Sequence, residues 1–155
     1  MSRFPESVQG FLASRRIAVA GVSRDRNQPA NHIYRRLRDT GHEVVAVNPA
    51  AGEVEGDRCW PDLASVPGDV DAVVIATPPG AAAAVARACA ERRISRVWMH
   101  RSFGEGSVSA EAVAVCREHG IQVIVGGCPM MYCGRVDVAH RCMRWILDVR
   151  GRIEA

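Results

Sequence analysis

Five short segments of this chain are apolar from end to end, and they restrict the fold more than any other feature. They read RIAVAG from Arg16, EVVAVNP from Glu43, DAVVIATPP from Asp71, SRVWMH from Ser95 and IQVIVGG from Ile121. A strand with one wet face alternates apolar and polar residues; a strand covered on both faces does not. Helical patterns lie between these segments. In ANHIYRRLRDTGH, Ile33, Tyr34 and Leu37 share one helical face and Gly41 is a stop. GAAAAVARACAERR is a helix with an alanine-rich start, and SVSAEAVAVCREHG has a Ser N-cap, an early Glu and a Gly stop. In the last helix, DVAHRCMRWILDVR, the residues Val138, Cys142, Trp145 and Val149 fall on one side. GEVEGDRCWPDLASVPGD predicts a small hairpin followed by a short helix.

Strands alternating with helices through short connections define a doubly wound α/β domain. The expectation is a Rossmann-like, mainly parallel sheet of five to six strands with helices on both faces. A single domain is expected over 1–155, with an N-terminal helix in 1–14 and a C-terminal helix in 135–150 packed on it.

The composition narrows the function. At 155 residues, 48% of them apolar, the chain is long enough for one real core. A net charge of +3, with only three Phe, two Tyr and three Trp, argues against a nucleic-acid partner and suits a small anionic ligand. No apolar run is long enough to cross a membrane. MSRFPESVQGFLASRR lacks the apolar core and cleavage site of a signal peptide, so a cytoplasmic location is the default expectation. The six cysteines form no C-x-x-C pair and read as free thiols.

Such a sheet binds ligands beyond the carboxyl ends of its strands, so the turns there carry the function. The first turn, GVSRDRNQPAN, lacks G-x-G-x-x-G. Gly21 permits close backbone approach, Val22 and Ser23 follow it, Arg24 and Arg26 offer charge-assisted contacts to phosphate, and Asn31 is placed to cap the next helix. In the second turn Asn48 and Pro49 stand where an NAD site wants an acid. In the third, Thr77, Pro78 and Pro79 leave the strand rigidly, and Gly80 and the alanines leave room for a flat ring or a pyrophosphate. In the fourth, His100 and Arg101 follow the strand, Gly104 and Gly106 make the loop pliant, and Ser107 is expected to cap the next helix. In the fifth, Gly126 and Gly127 lead to Cys128 and Pro129. The spacing of Cys128, Cys133, His140 and Cys142 does not match a paired-ligand metal site. Cys128 beside a basic turn is a candidate reactive thiol. Met130, Met131 and Tyr132 read either as core or as an apolar patch for a second copy or an unidentified protein partner.

These turns, taken in order, resemble the small single-domain CoA-binding proteins, whose Rossmann-like fold is shared with the CoA-binding domain of the succinyl-CoA synthetase alpha subunit. The resemblance covers roughly residues 10 to 148. It rests on the glycine-serine turn, the Asn-Pro after the second strand, the Pro-Pro before an alanine-rich helix and the Cys-Pro after the fifth strand. It implies that coenzyme A or an acyl-CoA lies across the strand ends, its 3′-phospho-ADP part held by the first three turns. Gly21, Ser23 and Arg24 would line the phosphates, Asn48 would sit by the adenosine, and Thr77 and Pro78 would flank the pyrophosphate or pantetheine. Gly127, Cys128 and Pro129 match the family's Cys-Pro turn. Many relatives carry Pro-Ser before the first long helix, where this chain has Pro29-Ala30. No nucleophile, acid–base pair or metal motif accompanies the site, so a non-catalytic CoA-binding module is expected. The alternative is an NAD(P)-binding redox enzyme or regulator, its basic first turn reading a 2′-phosphate. A third reading is thiol chemistry between CoA and Cys128.

Overall fold

The computed structural model describes residues 4–102, 106–134 and 138–149. The order is α1 (Glu6–Leu12), β1 (Arg16–Ala20), α2 (Pro29–Asp39), β2 (Glu43–Val47), β3 (Glu53–Val54), β4 (Asp57–Trp60), β5 (Ala72–Ile75), α3 (Pro79–Glu91), β6 (Arg96–Met99), α4 (Ala110–Glu118), β7 (Gln122–Val125) and α5 (Val138–Val149). A 3-10 turn at Pro129–Met131 precedes α5. The strands form one sheet in the order β3-β4-β2-β1-β5-β6-β7. Its pairs are parallel except for the β3–β4 hairpin. This is a Rossmann-like α/β fold.

The two-sided burial anticipated from the apolar strands is visible residue by residue in β1. Ile17 and Val19 face a core shared with Phe11, Ile33, Tyr34 and Leu37 of α1 and α2. Ala18 and Ala20 face the opposite core, with Ala82, Ala86, Cys89 and Cys116 of α3 and α4. Adjacent residues of a strand point to opposite faces, so both must be apolar when helices cover both. Trp98 of β6 is fully buried, meets Phe11 edge-on at 5.3 Å, and donates its indole N–H to Gly126 O at 2.9 Å.

Several local expectations are corrected. The sheet has seven strands rather than five to six, because the hairpin adds the two-residue β3 as an antiparallel edge. The hairpin turns through Glu55 (φ 53°) and Gly56 (φ 79°), the signature of a type I′ turn. Glutamate in that left-handed region costs about 1–2 kcal/mol. No short helix follows: residues 61–68 run as turns. The Arg92 guanidinium takes the carbonyls of Leu63, Val66 and Gly68, and Pro67 has no N–H to continue a helix. The cap of α4 is Ser109, whose Oγ accepts from Ala112 N at 3.3 Å. Ser107 is buried instead, its N–H held by His100 O at 2.7 Å.

Met131 and Tyr132 are buried and Met130 packs against the same core, the first of the two alternatives for these residues. Of the predicted apolar side of α5, Cys142 is exposed and Trp145 is 68% exposed. The helix instead engages through Arg144, which donates to Met131 O at 3.0 Å and lies over the Phe4 and Tyr132 rings. The side chains of Val138 and Val149, and residue Gly104, lie outside the described residues. Among the described residues no helix is long and apolar enough to cross a membrane.

Candidate functional site

The chain leaves β1 toward β2 on one side of the sheet and returns to β5 on the other, so the strand order reverses between β1 and β5. In open α/β sheets, ligands bind in the crevice at this reversal. The two segments that leave it, Gly21 after β1 and Ala76-Thr77 after β5, are nearly in contact. A Cβ on Gly21 would lie 2.4 Å from Ala76 O and 3.1 Å from Thr77 N, and Gly21 holds φ at 107°. The glycine is therefore required by the neighbouring chain as much as by any ligand.

Two clefts meet over this contact and share Gly21, Thr77 and Pro78. The first, about 430 Å³, runs between the β2 end and α3; Asn48, Pro49, Pro61, Leu63, Ala81 and Ala84 are among its walls. The second, about 680 Å³, runs toward β6 past Ser23, Gln28, Ala30, His32, His100 and Ser107. The N-terminus of α3 opens at this junction, and that of α2 opens on the second cleft. Neither has a side-chain cap or an acidic residue in its first turn. Their positive dipole ends favour an anion there.

Arg24 and Arg26 lie apart from both clefts, in a hollow of about 410 Å³ beside the hairpin, with Glu53, Val54, Glu55 and Gly56. Arg24 Nη2 donates to Ala50 O at 2.6 Å. Arg26 is 73% exposed, with its Nε 3.4 Å from Glu55 Oε2.

Asn31 is not a helix cap. The helix begins earlier, at Pro29, and Asn31 is fully buried within its first turn. Its Oδ1 accepts from Ser23 N at 3.0 Å, while its Nδ2 donates to Ser23 O at 2.7 Å and to Glu55 Oε1 at 2.8 Å. The Ser23 amide is thus already satisfied, and the Ser23 hydroxyl exchanges hydrogen bonds with the Asp25 backbone. Asn48 has a similar internal role. Its Nδ2 donates to Val22 O and its Oδ1 accepts from Ala50 N, both at 2.9 Å, which ties the first turn to the second.

His100 is buried at the end of β6, with Nε2 3.2 Å from Ser102 Oγ. Burial, and next the charge of His140, push its pKa down to about 4, so the ring is neutral at physiological pH. Val22 is fully buried. Pro79 is the first residue of α3 and lines neither cleft. Arg101 N donates to Gly127 O at 2.9 Å, which bridges the fourth and fifth turns beneath the surface. Gly127, Cys128 and Pro129 also line neither cleft, and Cys128 is 3% exposed within the α1–α2 core. A reaction at the Cys128 sulfur would require that turn to open. Among the described residues no group of three metal-ligating side chains occurs.

Sequence reasoning thus identified Gly21, Ser23, Asn48, Pro49, Thr77, Pro78 and His100, which the structure brings to the two clefts. It missed the 61–63 wall and the Gln28–His32 edge. The 61–63 wall had a local signal: Pro61-Asp62 directly after a strand is turn chemistry at the sheet's carboxyl end.

A sheet reversal with two joined clefts at the strand ends defines a Rossmann-like domain. Residues 15–134 match the family of CoA binding domains, and the chain belongs to that family. It is 30% identical over 115 residues to an ADP-forming acetate–CoA ligase II of Archaeoglobus fulgidus, a match covering 69% of this chain and 17% of the ligase. It is 28% identical over 127 residues to the uncharacterized protein YneT of Bacillus subtilis, covering 82% of this chain and 86% of YneT. Among solved structures, the dinucleotide-forming acetyl-coenzyme A synthetase 1 of Ca. Korarchaeum cryptofilum, in complex with phosphate and ADP, superposes with a TM-score of 0.62 at 28% identity. That match covers 72% of this chain and 25% of the synthetase.

Proposed function

We propose that this domain binds CoA or an acyl-CoA without chemistry of its own, with the 3′-phospho-ADP part at the carboxyl ends of the strands. The carrying observation is the pair of clefts joined over Gly21 and flanked by two helix N-termini without side-chain caps. An apolar slot on one side suits a flat base, the junction suits a pyrophosphate, and the larger cleft, of mixed lining, suits the pantetheine arm. Arg24 and Arg26, in the hollow on the hairpin side, would take the additional phosphate in this reading. Membership of the CoA binding domain family supports the ligand class.

His100 in this reading is a neutral hydrogen-bonding group beside the pantetheine arm. The test is a thermal-shift series with CoA, acetyl-CoA, ADP, NAD and NADP. A ligand at about 100 times its Kd stabilises by roughly 2.7 kcal/mol, a shift of several degrees for a chain of this size. Shifts with CoA species and none with NAD are expected. A shift with NADP alone overturns the reading and assigns the arginines to a 2′-phosphate.

A further inference from the structure

We propose that Glu55, at the tip of the β3–β4 hairpin, is a positioning residue for the ligand-binding first turn and acts on it through Asn31. The inference rests on the CoA reading for its ligand and on the geometry for its mechanism.

The Asn31 carboxamide holds both backbone groups of Ser23, and its orientation is not free. One Nδ2 hydrogen goes to Ser23 O and the other to Glu55 Oε1, which leaves Oδ1 facing Ser23 N. A flipped amide would set Oδ1 against both the Ser23 carbonyl and the Glu55 carboxylate, and Nδ2 against the Ser23 N–H. Acceptor would meet acceptor and donor would meet donor, so the Glu55 acceptor reinforces the orientation that the Ser23 backbone requires.

Glu55 is held with equal care. Its side chain is 1% exposed. Arg35 Nη1 donates to Oε1 at 2.7 Å and also to Arg26 O at 3.1 Å, while Arg38 Nη1 donates to the Glu55 carbonyl at 2.9 Å. Arg26 Nε approaches Oε2 at 3.4 Å. Burial alone pushes the Glu55 carboxyl up, but the Asn31 hydrogen bond and the charges of Arg35 and Arg26 outweigh it and hold the group below its usual range. The residue also occupies a left-handed turn position where Asn, Asp or Gly is preferred, at φ 53°. A long carboxylate kept in a strained position, buried and aimed at the first turn, marks a functional constraint. Glu55 thereby sets where Ser23, Arg24 and Arg26 stand before a ligand arrives, and an incoming phosphate competes with it for Arg26.

The experiment uses the full chain, wild type and as Glu55→Ala and Glu55→Gln. Two quantities are read: hydrogen exchange of the Ser23 amide without ligand, and CoA affinity by calorimetry. Loss of one charge-assisted hydrogen bond is worth roughly tenfold or more. Glu55→Ala is expected to speed Ser23 exchange about tenfold and to weaken CoA about tenfold. Glu55→Gln, which keeps the acceptor for Asn31 Nδ2, restores most of both.

Unchanged Ser23 exchange in Glu55→Ala overturns the proposal. So does unchanged CoA affinity when Ser23 is loosened, because the clamp would then be structural only. Failure of Gln to restore the Ser23 amide overturns the route through Asn31. Wild-type protein that binds no CoA overturns the CoA reading instead, and Ser23 exchange then decides the clamp alone. The β5 amides serve as the folding control. Where Glu55→Ala disturbs them, Asn31→Ala takes its place: it removes the clamp, so Ser23 should exchange faster and adding Glu55→Gln should change it no further. A further change in the pair overturns the proposal.

Discussion

Replacing Gly21 with alanine separates two reasons for a glycine at the end of a first strand. At φ 107° any side chain is strained, which costs about 1–2 kcal/mol. The new methyl would also lie 2.4 Å from Ala76 O and 2.8 Å from Ala76 C, and neither backbone atom can rotate away. Forcing β1 and β5 apart at their ends adds about 1–3 kcal/mol. The expected total is about 2–5 kcal/mol, a large part of the 5–15 kcal/mol typical of a domain. Gly41→Ala is the matched control. Its φ is 94°, and nothing lies within 4 Å of the added carbon, so it carries the strain without the clash. Urea unfolding of both variants reads the difference. Gly21→Ala should lie at least about 1 kcal/mol below Gly41→Ala and should lose affinity for ligands in both clefts, since both are lined by that residue. Equal destabilisation of the two variants would refute the argument from the close approach of β5.

Two further outcomes are expected. His100 titrates near 4 when folded and near 6.5 when unfolded, so the unfolded chain takes up its proton first as pH falls. Stability should therefore decline from about pH 6.5 toward pH 4, by up to ~3 kcal/mol, and His100→Asn should remove that part of the slope; denaturant midpoints across this range check the sign. Arg92→Ala should cost about 2–3 kcal/mol and expose residues 61–68 to limited proteolysis, because its guanidinium is bound to three carbonyls there. Undiminished protection of that segment would show that the arginine does not hold it.

The residues that were legible in the sequence are those whose role is local. Apolar runs such as AVVI and QVIV can only be strands covered twice, and helices between them force a parallel sheet with its ligand crevice at the reversal. Gly41 ends α2 in the left-handed region as its position predicts. What escaped depends on residues distant in sequence. Asn31 looks like a cap because it precedes an apolar face, but its amide is claimed by Ser23 and Glu55 on other segments. Arg92 lies at the end of α3, and nothing near it indicates that it shapes the segment at 61–68. Trp145 has the spacing of a core residue and is exposed, while its neighbour Arg144 reaches across to Met131 O.

The slot beside α3 has a further consequence. Its walls are mainly methyl groups and proline rings, and its polar side chains are already engaged internally. Asn48 serves Val22 and Ala50, Asp62 accepts from Ser65, and the Thr77 hydroxyl donates to Pro78 O. A ring that slides in meets surfaces but few unspent side-chain partners to recognise its edge. On the proposed CoA reading, the slot would measure thickness rather than identity, and unrelated planar dyes or drug-like heterocycles should compete there with CoA in a calorimetric titration. Small-molecule screens on this domain would then return flat, chemically diverse hits, and discrimination between them would have to be built at the polar end.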